Sequence, residues 1–389
     1  MRTLIIDLLP CQELNGGKAN GGSEYTKTVF ERIAREYSDK LNVCVILNSN
    51  VSIDDWIDEV IHKKGIKVLE AKDFNDVNAI LNNAETGTVF FEGIIYKLTN
   101  YKIPDHIISV GTYHGVRWME IKATYGQWNY VDGIKNKMIS FIKYLARNYT
   151  YKVNYKEMGI ILSQFDYLVG VSRHSKYSLK LFYPSIQDSQ SLALYSPLKY
   201  IGEKEVSGDR IIHEPYILLI SANRAEKNIY RGLLAIDGLF SNGQLTNYKV
   251  VVVGNLSNTI KRSLNNISKF DCLGYVSTEE LEALYRDCKV FLYPTLNEGF
   301  GIPPLEAMKY GTSCIVGADT SLTGIYGTSC YYVNPFDINE IKIRVLEAVE
   351  NPLPREFVLN KYSEIKKICD SDFDKLCELL VTAKKPLTP

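Results

Sequence analysis

The chain has no long hydrophobic run. Nowhere do about eighteen apolar residues follow one another, so no segment is expected to cross a bilayer. It has no surplus of either charge: Lys plus Arg number 45 and Asp plus Glu number 45. A dedicated nucleic-acid binder would need a basic excess to neutralise phosphates. Internal repeats and low-complexity tracts are missing too, which argues against a solenoid or an extended disordered region. The eight cysteines include no C-x-x-C pair, so neither a zinc site nor a disulfide framework is expected. Several sit inside apolar runs, as in Ser313-Cys314-Ile315, and read as small buried hydrophobes in a reducing compartment. The cytoplasm is the expected address. The first apolar run is cut by Asp7 and lacks a small-residue cleavage site, so it reads as a strand and not as a signal peptide.

What is present is ordinary for a soluble enzyme, with 46% hydrophobic and 23% charged residues. At 389 residues the chain is too long for one ordinary core, and two domains are expected. Short apolar runs alternate with segments of helical period, the pattern of parallel sheets wrapped by helices. Strands are expected at 3–9, 43–47, 88–91, 107–113 and 167–171, then at 216–221, 248–253, 289–293, 313–317 and 330–333. Ser277-Thr278-Glu279-Glu280 is a capping box that opens a helix. Gly311 is placed to close the helix that follows Pro303-Pro304. Residues 196–215, with Pro197, Gly202, Gly208 and Pro215, read as the interdomain linker, and a last helical segment covers about 355–385. Two doubly wound sheets joined in this way imply a central cleft at their C-terminal strand edges, where such sheets bind ligands.

The most informative stretch runs from Val290 to Met308: a buried strand, the loop Asn297-Glu298-Gly299-Phe300-Gly301, and a helix opened by Ile302-Pro303-Pro304. Glu298 is expected in the loop and Glu306 in the first turn of the helix, both toward one space. Paired carboxylates so placed suit the hydroxyl pairs of a sugar ring and a ribose. Gly299 and Gly301 let the backbone approach a ligand, whose oxygens the N–H groups at Gly301 and Ile302 would meet. The plainer alternative is a helix-capping Glu306 and a solvated Glu298.

Glu298 to Glu306 resembles the E-x7-E motif of retaining glycosyltransferases of the GT-B fold, family 4. Leu273-Gly274-Tyr275-Val276-Ser277, Tyr310-Gly311-Thr312 and Val333-Asn334-Pro335-Phe336-Asp337 are similar to that family as well. The similarity is dense from about 215 to 350 and sparse before it. The resemblance implies two Rossmann-like α/β domains facing a cleft. The first is an acceptor-binding domain over 1–200, onto which a C-terminal helix of about 366–389 packs back. The second, over 210–365, is a donor domain. It implies a nucleotide-diphosphate sugar of UDP or GDP type as donor and a glycan or lipid-linked acceptor, in cell-surface polysaccharide or glycoconjugate synthesis. It also implies that Glu298 contacts the donor sugar, Glu306 the ribose, and Tyr275 and Val276 the base.

Leu219 to Asn228 ends another expected strand with Arg224 and Lys227. A departing diphosphate needs cations, and the family has a basic pair here, which assigns that role to Lys227 and, at closer spacing than usual, Arg224. Surface charges at a helix start are the alternative. Asn20-Gly21-Gly22-Ser23-Glu24 opens a helix after the first strand and resembles the family's glycine loop, which places Gly22 beside the donor phosphates. His114 in Thr112-Tyr113-His114-Gly115 stands where the family often has His-Asp. It can donate to a donor-sugar hydroxyl or to a nearby carbonyl, and Gly115 replaces the aspartate. Arg173 and His174, at a similar strand-to-helix junction, are further candidates. No metal site is seen, and no metal or other cofactor is expected.

Residues 134–156 hold Lys135, Lys137, Lys143, Arg147, Lys152 and Lys156 without one acid, interleaved with Met138, Phe141, Ile142 and Leu145. A basic amphipathic helix of this kind suits peripheral contact with an anionic membrane on its inner face. A helix with one core-facing stripe explains the same pattern. Two readings from other classes remain. An NAD-dependent dehydrogenase shares the layers but would need a G-x-G-x-x-G. A non-catalytic glycosyltransferase-like subunit fits the departure of Leu322-Thr323-Gly324 from the family's Leu-Pro-Glu.

Overall fold

A parallel strand covered on both faces must be apolar along its whole length, and the expected strand runs follow that rule. The structure, a computed structural model, describes residues 1–12, 21–95, 102–115, 117–121, 126–199 and 212–386. Asn20 and residues 200–211 of the expected linker lie outside the described residues.

The first sheet comprises β1 (Arg2–Asp7), β2 (Leu41–Leu47), β3 (Lys67–Glu70), β4 (Val89–Glu92), β5 (Ile108–Tyr113), β6 (Tyr167–Gly170) and β7 (Ser191–Ala193). Its order is β3-β2-β1-β4-β5-β6-β7, with every neighbouring pair parallel. The second comprises β8 (Tyr216–Ile220), β9 (Lys249–Val253), β10 (Phe270–Gly274), β11 (Val290–Tyr293), β12 (Cys314–Gly317) and β13 (Tyr331–Val333). Its order is β10-β9-β8-β11-β12-β13, again parallel throughout. Both sheets are therefore doubly wound, with the winding direction reversing at β1/β4 in one and at β8/β11 in the other. A crevice opens beyond the C-terminal strand ends at such a reversal.

The central strands are buried along their length: all six residues of β5, all five of β8 and all four of β11. In the second unit Ile217, Leu219, Val250, Val252, Leu292 and Ile315 pack with Leu233, Ile236 and Val345 from the covering helices. The cysteines are free thiols, and all but Cys272 are buried.

The chain divides into two compact units, one of residues 1–115, 152–202 and 366–389, the other of 116–151 and 203–365. The expectation of one domain over 1–200 kept 116–151 with the first half of the chain. The structure groups that segment with the second unit, and its polar contacts show why. Asp132 accepts from the Asn258 N–H at 3.0 Å, Lys137 Nζ donates to Thr259 Oγ1 at 2.6 Å, and the Tyr130 hydroxyl accepts from the Tyr230 N–H at 3.1 Å. The helix Arg355–Thr382 runs on from Lys366 as part of the first unit. There Tyr37 donates to Asp374 at 2.7 Å, and Arg32 pairs with Asp370 at 2.9 Å.

The basic stretch 134–156 is not one helix. Ile134–Leu145 ends at Ala146, and Arg147–Leu162 follows. The capping box is present, with the Glu280 N–H donating to Ser277 Oγ at 3.1 Å and the Ser277 N–H to Glu280 Oε2 at 2.7 Å. Gly311 closes its helix at φ +75°, a left-handed value that favours glycine.

Candidate functional site

In the second unit the loops after β8 and β11 meet, because those strands are neighbours at the reversal of the sheet. After β8 the chain turns through Ala225–Lys227 to Asn228, which sits at φ +57°. Two side-chain hydrogen bonds hold that conformation: Asn228 Nδ2 donates to Pro294 O at 2.9 Å and to Pro335 O at 2.6 Å. The Leu296 N–H donates to Glu226 O at 2.9 Å, which ties the two loops together.

That bracing sets Lys227 and Glu298 face to face. Lys227 Nζ lies 2.5 Å from Glu298 Oε1 and 2.6 Å from the Tyr293 hydroxyl, and the two charged side chains are only 7% and 12% exposed. Tyr293 donates to the same Oε1 at 2.7 Å, and Thr295 Oγ1 approaches it at 2.9 Å. Burial first, and then the Glu298 carboxylate, push the Tyr293 phenol well above its ordinary range, so it stays a donor. The Glu298 backbone is held as well. Its N–H donates to Thr320 Oγ1 at 3.0 Å, and its carbonyl accepts from Ser321 Oγ at 2.9 Å.

Gly301 precedes the helix Ile302–Met308 at φ +86°, where a Cβ would come 2.4 Å from Leu322 Cδ2. Its carbonyl accepts from the Tyr326 hydroxyl, which fixes the turn onto the helix. Glu306 is the fifth residue of that helix and so lies in its second turn, not in the first as the spacing suggested. The Tyr285 hydroxyl donates to Glu306 Oε2 at 3.2 Å. Burial, then the Glu306 charge, raise the Tyr285 phenol well above its ordinary range, and it too remains a donor.

Arg224 does not join Lys227 on Glu298. Its Nε and Nη2 both reach Glu226 Oε1 at 2.8 Å, with the side chain one-third exposed. Tyr275 stands exposed just past β10, after Gly274 at φ +65°, and Val276 is half-buried beside it.

The first unit has its own cluster at the β1/β4 reversal. Gly22 lies in the first turn of the helix Gly21–Glu36, at the positive end of the helix dipole, and its carbonyl accepts from Thr26 Oγ1 at 3.0 Å. Thr26 in turn packs against Gly93, where a Cβ would fall 2.1 Å from Thr26 Oγ1. His114 follows β5. Its Nε2 donates to Gly93 O at 2.8 Å, and its ring meets Tyr25 edge-on at 5.0 Å. The carbonyl partner requires the proton on Nε2. Arg173 and His174 open the helix Arg173–Phe182, which Ser172 caps by accepting from the Ser175 N–H at 3.1 Å. Nothing described places those two beside Gly22 or His114.

Sequence reasoning missed Tyr293, Thr295, Thr320 and Asn228 as builders of the site. One signal was available for Tyr293: it is a hydroxyl-bearing residue at the C-terminal end of an otherwise apolar strand. For Asn228 the signal was its ability to hold a left-handed turn.

Residues 206–364 match the family described as Glycosyl transferases group 1. Among curated proteins, the serotype-specific mannosyltransferase WbdA of Escherichia coli is 43% identical over 74 residues, covering 19% of this chain and 9% of that protein. The O-antigen chain mannosyltransferase B of Escherichia coli is 37% identical over 84 residues, 22% of each chain. The chain thus matches less than a quarter of the length of either relative. Two solved structures align along nearly the whole chain. Sucrose-phosphate synthase of Thermosynechococcus elongatus has a TM-score of 0.71 at 13% identity, covering 97% of this chain and 98% of that one. Anabaena HepE in complex with UDP has 0.66 at 12%, covering 98% and 99%. The chain therefore has the GT-B fold, and its stretch 206–364 is similar in sequence to the glycosyl transferases group 1 family.

Proposed function

We propose that the protein is a retaining glycosyltransferase of family 4 that moves a sugar from a nucleotide-diphosphate donor to an acceptor hydroxyl in cell-surface polysaccharide synthesis. The observation that carries this reading is the Lys227–Glu298 pair at the C-terminal ends of β8 and β11, held at 2.5 Å by loops tied to each other. An ammonium there stabilises the charge on a departing diphosphate, and a carboxylate beside it takes sugar hydroxyls. In the transfer the anomeric C–O bond to the diphosphate breaks, the acceptor oxygen bonds that carbon, and the acceptor proton leaves with the diphosphate.

Glu306 takes the ribose hydroxyls, Gly301 and Ile302 offer backbone N–H groups, and Tyr275 with Val276 lies along the base. Arg224, occupied by Glu226, acts on the diphosphate only after exchanging that partner. In the first unit, Gly22 at its helix N-terminus serves phosphate and His114 a sugar hydroxyl. The mannosyltransferase relatives support mannose as the sugar, and neighbours solved with UDP and with UDP-glucose support a nucleotide-sugar donor. The reaction takes place in the cytoplasm at the inner membrane face, on a glycan or lipid-linked acceptor.

A screen of UDP- and GDP-sugars for transfer and for slow donor hydrolysis tests the reading. Neither reaction with any donor, in protein that binds nucleotide, would leave a non-catalytic binding subunit. With Lys227 supplying the positive charge, no metal is needed, and activity is expected to survive EDTA. Loss of activity in EDTA that Mg²⁺ or Mn²⁺ restores would overturn that. Glu306→Ala is expected to weaken nucleotide binding by about 1.5–3 kcal/mol, the worth of a hydrogen bond to a charged group. Calorimetry with the free nucleotide checks it, and an unchanged affinity removes Glu306 from the ribose.

A further inference from the structure

The helix Ile134–Leu145 buries none of its side chains. Ile134 (82% exposed), Met138 (59%), Ile142 (57%) and Leu145 (60%) recur at i, i+4, i+8 and i+11, one continuous stripe along a helix. The adjoining row moors the helix to its own unit. Lys137 Nζ donates to Thr259 Oγ1 at 2.6 Å, and Phe141 and Tyr144 meet Trp128 edge-on at 5.7 and 6.0 Å. The stripe of Ile134, Met138, Ile142 and Leu145 is thus not the face that packs. The next helix behaves otherwise: Arg147–Leu162 buries Met158, Ile161 and Leu162.

We infer that Ile134–Leu145 alone is the docking element for an anionic lipid surface, lying flat with its stripe in the headgroup–acyl boundary and Lys135, beside the stripe, among the headgroups. This rests on the proposed action at a membrane face and narrows it to one helix. Charge identifies the occupant. Lys135, Lys137 and Lys143 and no Asp or Glu fall within Ile134–Leu145, so a two-fold pairing of two copies through this face would set lysines against lysines. Anionic headgroups are the complement, and a lysine flanking an apolar stripe combines both attractions. Twelve residues span about 18 Å, too short to cross a hydrocarbon core of about 30 Å. No helix among the described residues is long and apolar enough to do so.

Co-sedimentation with phosphatidylglycerol-containing and pure phosphatidylcholine vesicles tests the inference. Wild type is expected to sediment with the anionic vesicles at low salt and to be released at about 1 M salt, where the Debye length is about 3 Å. Met138→Ser/Ile142→Ser and Lys135→Glu/Lys143→Glu should each lower binding about tenfold or more, with melting temperature and transfer to a soluble acceptor unchanged. Three results overturn it: wild type that ignores anionic vesicles at low salt, full binding by the serine variant, or a solution dimer that those serines dissociate while vesicles are ignored. Failure of the sugar-transfer reading would show separately, as absent transfer in a protein that still binds vesicles.

Discussion

Lys227→Ala is expected to lower turnover at saturating donor about 10²–10³-fold, the usual cost of removing one group aimed at charge that develops in the transition state. It is also expected to destabilise the second unit. The Lys227 and Glu298 side chains are 7% and 12% exposed, and removing the cation leaves a nearly buried carboxylate without its paired charge, though Tyr293 and Thr295 still approach it. Breaking such a pair costs about 3 kcal/mol, or roughly 6–12 °C of melting temperature for a unit of this size. The two effects must be separated, and Lys227→Met/Glu298→Gln does so, since it removes both charges together. Stability should largely return while turnover stays low. A single mutant that turns over like wild type, or a double mutant as active as wild type, removes Lys227 from the diphosphate.

Gly317→Ala is expected to damage fold and site together. A Cβ at Gly317 would lie 2.3 Å from Thr295 O, a backbone atom that cannot swing aside. Relieving that overlap shifts the loop after β11, at a cost of about 3 kcal/mol. Thr295 also supports Glu298, with Oγ1 2.9 Å from Oε1, so the strain reaches the carboxylate and activity falls with stability. Gly324→Ala is the control, because a Cβ there meets no atom within 4 Å. Thermal melts and donor turnover on both variants decide the matter. Equal behaviour of the two would mean that the β11–β12 contact does not position Glu298.

The ten expected strands lie within a residue or two of ten observed ones, and the three that went unread share a place. β3, β7 and β10 are all edges of their sheets. Lys67-Val68-Leu69-Glu70, Ser191-Leu192-Ala193 and Phe270-Asp271-Cys272-Leu273-Gly274 carry polar or small residues because an edge strand has one side to water. Central strands are sealed on both faces and must be apolar throughout, which is why β8 and β11 were visible as unbroken runs.

The sequence by itself determined the two parallel α/β sheets, the capped helices, and a charged or glycine-bearing loop at the end of each central strand. These are local consequences of burial, period and backbone preference. Tertiary structure decided which loops meet. Lys227 and Glu298 are 71 residues apart and become a 2.5 Å pair only because β8 and β11 are neighbours at the reversal of the sheet. It also decided that 116–151 joins the second unit, that Arg224 pairs with Glu226, and that the stripe of Ile134–Leu145 faces solvent. Each depends on a partner far away in the chain, and no local pattern encodes where a distant partner will lie.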